Sequence, residues 1–284
     1  MKKMKLALSL ALALTLCFGL LAGCSGSSST VSPSATPSAS ATPSASATPA
    51  SPAFTTVEKG KLHMSTNASF PPYEMVTDKG GFEGIDVEIA TKIAEKLGLE
   101  LVVDDMDFTA AVNAPAQGKS DMCMAGMTVN DERKKNLDFT DTYAEGVQVV
   151  IVPEKSDIKT IDDLEGKMIG TQEGTTGYIY CSDTPDNGGY GEDHVIAYTN
   201  GSTAVQALLA GKVDCVVIDN QPAQEFVKAN PGLKILDTNF TEEDYAIAVK
   251  KGNTELLNAI NGALNELITD GTVKSIVDKY IKAG

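Results

Sequence analysis

The chain has 284 residues, with 38 acidic against 23 basic side chains, a formal net charge of −15 and 42% apolar content. Such an acidic chain is not built to bind nucleic acid or to dock on an anionic lipid surface, although an anionic group can still sit in a locally positive pocket. The length suits one large domain or two smaller ones.

Lys2, Lys3 and Lys5 precede an apolar run from Leu6 to Leu21. A positive start followed by a greasy segment is the layout of a secretory signal, and the run is short for a span of ~20 residues. Leu21-Ala22-Gly23-Cys24 resembles the bacterial lipobox, which makes 1–23 a lipoprotein signal and Cys24 the lipidated residue. From Ser25 to Ala53 the chain uses only Ser, Gly, Thr, Val, Pro and Ala, and Ala-Thr-Pro-Ser-Ala-Ser recurs from Ala35. Nothing there can bury a core, so 24–53 is expected to be a disordered tether. It would reach roughly 30 Å as a coil and about 90 Å if extended.

Lys61 to Thr66 reads as a strand running into Asn67-Ala-Ser-Phe-Pro-Pro-Tyr-Glu74, a turn whose two prolines exclude helix and central strand. Gly84 opens a helix with Ile85, Ile89, Ile93 and Leu97 on one face, and Gly98 ends it. Leu99 to Val103 is the next strand, and this β-loop-α-β order predicts a parallel sheet with helices on its faces. Asp107-Phe108 leads a helical stretch expected to reach Gly118, with Pro115 kinking or shortening it. A buried strand then ends at Ala125-Gly126-Met127-Thr128.

Arg133 follows, and it is the single arginine of the sequence. A guanidinium offers a planar fork of donors matched to carboxylate or phosphate, which lysine cannot supply. Ligands in open α/β sheets sit beyond the carboxyl ends of strands. Gly126, Thr128 and Arg133 together can therefore form a carboxylate pocket, although an arginine at a helix start can also be a plain surface residue.

Val147 to Pro153 is a β-rich run leaving this lobe. Asp162 to Leu164 begins a short helix, Lys167 to Thr171 is a strand, and Gln172-Glu-Gly-Thr-Thr-Gly177 opens a helix. Its N-terminus can bind an anion, or Thr175 can simply cap it. His63 and His194 have no partner motif and read as structural. Ala-Gly-Lys-Val-Asp-Cys-Val-Val-Ile-Asp219 echoes Gln-Gly-Lys-Ser-Asp-Met-Cys-Met-Ala-Gly126, which points to two similarly wound lobes sharing a cleft. Asp219 then stands opposite Arg133, and a carboxylate grip facing an ammonium grip is what an α-amino acid zwitterion requires. Alternatively, Asp219 caps a helix that has Pro222 early in it. Asp244 to Lys250 crosses back, and Glu255 to Ile268 and Val273 to Ile281 are amphipathic helices. One exit and one return give two hinge strands.

The segments NASFPPYE, GFEGIDVEIATKIAEKLG, MDF, AQGKSD, AGMTVNDERKKNLDFTD, DDLEGKMIGTQEGTTG and AGKVDCVVIDN occur in that order. As a set they resemble the extracytoplasmic solute-binding proteins of polar amino-acid ABC importers, the family 3 type in its lipoprotein form, from about Lys61 to the end. The resemblance implies a type II periplasmic-binding-protein-like α/β fold. Its lobe 1 is 54–146 plus 248–284, and its lobe 2 is 147–247 including the hinge strands. It places the ligand α-carboxylate on Arg133, with Ala125, Gly126 and Thr128 at the same end and Thr176 contributing from the second lobe. It places the α-ammonium on Asp219 and the ligand side chain between Phe70 and Phe108. Asn67 stands where many relatives have aspartate, so a strict taste for lysine, arginine or histidine is not implied, and a glutamine-like tail suits the amide at least as well. Gln172 and Glu173 are candidates for the remaining selectivity.

The function expected is a lipid-anchored extracytoplasmic receptor, monomeric and without cofactor or metal. It would pass a polar amino acid to an ABC permease driven by a separate ATPase subunit. A cyclohexadienyl or arogenate-type dehydratase on the same fold is the rival, with Glu173 as its general acid, and a ligand-presenting sensor is a third reading. Cys123, Cys181 and Cys215 are expected as free buried thiols, with a Cys181–Cys215 bond the alternative.

Overall fold

The computed structural model describes residues 54–281. The signal 1–23, Cys24 and the tether 24–53 lie outside the described residues.

The first lobe runs β1 (Lys61–Thr66), β2 (Ser69–Phe70), β3 (Glu74–Val76), β4 (Phe82–Glu83), α1 (Ile85–Leu97), β5 (Glu100–Asp105), α2 (Phe108–Asn113) and β6 (Met122–Cys123). The long strand β7 (Leu137–Pro153) leads to the second lobe. That lobe holds β8 (Ile169–Gln172), α3 (Thr176–Ser182), β9 (Val195–Tyr198), α4 (Gly201–Leu209), β10 (Cys215–Asp219), α5 (Asn220–Ala229) and β11 (Leu233–Ile235). β12 (Thr241–Lys250) returns, and α6 (Thr254–Thr269) and α7 (Thr272–Tyr280) close the first lobe. No helix among the described residues is long and apolar enough to cross a membrane.

The main sheet is continuous through both lobes, in the order β5-β1-β6-β12-β7-β10-β8-β9, with β11 on β7. β1 is parallel to β5 and β6, and β8 is parallel to β9 and β10. The antiparallel pair β7 and β12 joins the two parallel halves. Their register slips on either side of Ala246, a bulged irregularity of the kind that re-aims side chains.

α1 forms where the four-residue apolar spacing predicts it. Ile85, Ile89, Ala90 and Ile93 are fully buried, each isoleucine contributing roughly 1.5–3 kcal/mol by leaving water. Gly98 adopts φ 69° and closes the helix as a left-handed cap. α2 ends at Asn113, short of Gly118, because Pro115 has no N–H and its ring would strike the carbonyl of residue 111. β7 begins at Leu137, ten residues before the apolar run that marks it in the sequence. In its first half only every third position is buried, and that half is held by β12 more than by its own composition.

Gly84 locks the first turn of α1 onto the proline turn. The amides of Ile85 and Asp86 donate to the carbonyls of Pro72 and Tyr73 at 3.1 and 2.9 Å. Gly84 itself has φ 133°, and a Cβ there would lie 2.1 Å from the Tyr73 carbonyl oxygen. Gly84→Ala is expected to destabilise the fold by about 2–4 kcal/mol, from a glycine-only backbone region combined with overlap against backbone. Urea unfolding reads this as a lower midpoint, and an unchanged midpoint would contradict the close packing described.

Candidate functional site

Two pairs of parallel strands, β1 with β6 and β8 with β10, deliver their carboxyl ends to one place. β1 leads to Asn67, β6 to Ala125 and Gly126, β8 ends on Gln172 and β10 on Asp219. These residues, with Phe70, Phe108, Thr128, Arg133 and Thr176, line one cavity between the lobes. All ten residues expected from the sequence are thus brought together. Glu74 and Thr175 line it as well.

Arg133 is 8% exposed and sits at the start of a single 3-10 turn rather than a longer helix. Asn130 accepts from its amide at 2.8 Å and shapes the loop. Its guanidinium donates to the Thr128 carbonyl at 2.5 Å and, from the opposite face of the cavity, to the Gly174 carbonyl at 3.2 Å. It also lies 5.4 Å from the Phe108 ring centre, in reach of a cation–π contact. The loop before it is tied to the crossing strand, since Val129 donates to Asp244 and Ala246 to Met127. Arg133 is therefore pre-aimed, with donors of its five left over.

Asp219 faces it from the second lobe. It precedes α5 but does not cap it, so the helix-cap alternative fails. Its carboxylate instead accepts from the Tyr245 hydroxyl and from Gln148 Nε2, the latter at 2.7 Å. Burial, joined by the nearby Glu243 carboxylate, pushes the Asp219 carboxyl up to about 7 against the pull of those donors. Glu243 in turn accepts from the Thr128 hydroxyl at 2.8 Å and Gln148 Nε2 at 3.2 Å. The Thr128 hydroxyl is thus already engaged, and the Gly126 amide is too, donating to Asp86 at 2.8 Å. Gly126 has φ 51° and lies under the Phe70 ring, so its value here is close approach.

The remaining wall is set by hydrogen bonds that cross the cavity. Gln172 Nε2 donates to Asn67 Oδ1 at 3.0 Å, while Asn67 Nδ2 donates to the Met106 carbonyl at 2.9 Å and Ser69 donates to Asn67 Oδ1 at 3.0 Å. Asn67 is therefore anchored on both of its polar atoms. Thr175 caps α3 by accepting from the Tyr178 amide at 3.3 Å, the plainer of the two readings of that segment, and Thr176 is buried beside it. Glu173 is exposed and lies outside the cavity, contrary to its place among the selectivity candidates and as general acid. Cys123, Cys181 and Cys215 are free and buried, and the alternative Cys181–Cys215 bond is not formed.

Sequence reasoning missed Glu74 as a cavity residue. It follows two prolines and a tyrosine and pairs with Phe70 across β2 and β3. A glutamate in such a turn carries no local mark of burial, and long-range packing, that of α1 through Gly84 included, makes it 0% exposed.

Residues 62–283 match the family described as bacterial extracellular solute-binding proteins, family 3. The L-cystine-binding protein TcyJ of Escherichia coli is 30% identical over 229 residues, covering 80% of this chain and 84% of that protein. The arginine-binding extracellular protein ArtP of Bacillus subtilis is 32% identical over 226 residues, covering 78% and 86%. An ancestral arginine-binding protein bound to arginine superposes with a TM-score of 0.73 at 41% identity, covering 78% of this chain and 99% of that one. The same kind of match, at 41% identity and TM-score 0.73, is found to an ancestral arginine-binding protein bound to glutamine.

Proposed function

The chain belongs to the bacterial extracellular solute-binding proteins of family 3, and from that premise we propose that it is a receptor that captures a polar amino acid for an ABC importer. The observation that carries this reading is the opposition of Arg133 and Asp219 across one buried cavity walled by Phe70 and Phe108. Arg133 takes the α-carboxylate by its fork and Asp219 the α-ammonium. Thr176 adds a hydroxyl donor, Thr128 adds another once the ligand displaces its contact to Glu243, and the two rings enclose the aliphatic part of the side chain.

Each lobe supplies part of the grip, so a ligand held by both binds the closed arrangement better than an open one and shifts the population by that difference. The cross-cavity bonds from Arg133 to Gly174 and from Gln172 to Asn67 belong to that closed arrangement. The irregular stretch of β12 around Ala246, with the β7 segment it pairs with, is the natural hinge. Lobe 1 is then 54–146 plus 248–284 and lobe 2 is 147–247. The receptor works as a monomer, held to the membrane through a lipid on Cys24, and hands its ligand to a permease whose ATPase is a separate subunit. The receptor role requires no reaction, and the general acid that a dehydratase reading assigns to Glu173 lies outside the cavity.

Calorimetry of the purified chain, refolded free of co-purified ligand, against the standard amino acids and cystine tests the reading. Saturable one-to-one binding of at least one of them is expected. Turnover of a cyclohexadienol acid without amino-acid affinity would overturn it.

A further inference from the structure

The charges lining the cavity do not balance. Among the described residues they are Arg133, Asp219 and Glu74. An amino acid's carboxylate and ammonium match the first two and leave Glu74 without a counterpart. Glu74 is 0% exposed, and neither of its carboxyl oxygens has a hydrogen-bond partner. The groups around it make matters worse for a carboxylate. Asp86 of α1 faces it, with one oxygen also unpartnered and the other accepting from the Gly126 amide and the Tyr143 hydroxyl, each at 2.8 Å. Cys123 of β6, Asp219 of β10, Tyr143 of β7 and the adjacent Tyr73 complete the surroundings, and none is a cation. Arg133 is engaged elsewhere, on Thr128, Gly174 and Phe108.

We propose that Glu74 reads the far end of the ligand's side chain and selects a cationic tail, a guanidinium or an ammonium, over a neutral group of the same shape. The inference rests on the amino-acid reading above. A buried carboxyl with no donor can be satisfied by a proton or by a cation. Three carboxyl oxygens of Glu74 and Asp86 lack donors, and one shared proton satisfies two of them, leaving a Glu74 oxygen for the cavity. Burial, and next the Asp86 carboxylate, hold Glu74 well above the usual carboxylate range, so the proton is present when the cavity is empty of a cation. A cationic tail brings its own donors and charge, and the proton leaves to water as the tail arrives. A purely structural role would be served better by glutamine, whose amide donates to Asp86 without needing a proton. The neutral Asn67, already spent on Met106, Ser69 and Gln172, is not the group that sets the tail's charge. Of the tails the sequence leaves open, glutamine-like or cationic, Glu74 selects the cationic one.

Arginine and citrulline have the same shape and differ in tail charge, so calorimetry with both, at pH 7.5 and in two buffers of unlike ionisation enthalpy, is the test. The wild-type chain is expected to prefer arginine by about tenfold or more, as for a charge-assisted hydrogen bond. It should also release more protons with arginine than with citrulline, because any release from Asp219 is common to both. Glu74→Gln should remove the preference, mostly by weakening arginine. Equal wild-type affinity and proton release for the two ligands would overturn the inference even if the variant does not fold, and so would a Glu74→Gln chain that keeps the preference. If the wild type binds no amino acid at all, the receptor reading itself fails.

Discussion

Arg133→Ala abolishes amino-acid binding, and Arg133→Lys weakens it by about 1.5–3 kcal/mol, roughly 10- to 150-fold, the worth of hydrogen bonds to a charged group. The alanine variant leaves a ligand carboxylate in a buried cavity with no counter-charge, and uncompensated buried charge is among the costliest states a site can hold. The lysine variant keeps the charge and loses the geometry. The guanidinium spans the Thr128 carbonyl on its own lobe and the Gly174 carbonyl on the other while lying against Phe108. An ammonium has three donors about one nitrogen and no flat face, so it cannot hold both carbonyls, grip a carboxylate with two parallel bonds and stack at once. The loss should appear largely as faster dissociation, since the removed contacts are made after encounter. Calorimetry gives the affinities and stopped-flow the rates. Wild-type affinity in the lysine variant would mean that the carboxylate is held elsewhere.

Which parts of this site the sequence reveals follows from how local their causes are. α1 is legible because its start, its four-residue apolar spacing and its glycine stop lie within fifteen residues of one another. Arg133 is legible for a compositional reason, being the single arginine of the chain. Asp219 is half legible. Its position before a helix containing Pro222 fits a cap equally well, and the choice is made by Tyr245 and Gln148, which arrive from strands 26 and 71 residues away. α2 stops at Asn113 rather than Gly118, the shortening that Pro115 predicts. Asn67 is legible as a substitution for a common aspartate, whereas the bonds that occupy it, to Met106 and from Gln172, are not. Glu74 is the opposite case: its residue type is ordinary, and its burial comes from long-range packing of α1 through Gly84 and of residues from β6, β7 and β10 around it.

Asp219→Asn lowers affinity for a zwitterionic amino acid by about 2–5 kcal/mol, the usual cost of removing one side of a buried, hydrogen-bonded charge pair. Size and shape are kept. One contact must rearrange, because an amide nitrogen facing Gln148 Nε2 would set donor against donor. Gln148 can flip, bringing its unpartnered Oε1 to that nitrogen. The loss is therefore of charge more than of packing. The pH dependence identifies it. With the Asp219 carboxyl at about 7, the empty protein holds that group charged above pH 7 and protonated below. An ammonium binds the charged form, so affinity falls as pH drops through about 7, approaching about tenfold per unit well below it. An α-hydroxy acid analogue lacks the ammonium and gains nothing from the charge. It should bind the wild type weakly and lose little on substitution. Titrations of both proteins at pH 5.5, 6.5, 7.5 and 8.5, with a neutral-tailed amino acid to keep Glu74 silent, separate the cases. Under this reading the wild-type affinity rises with pH and the asparagine variant is flat and low. An asparagine variant that keeps the wild-type affinity and slope would place the ammonium on another acceptor, for which Glu243, the carboxylate that shares Gln148 with Asp219, is the nearest candidate.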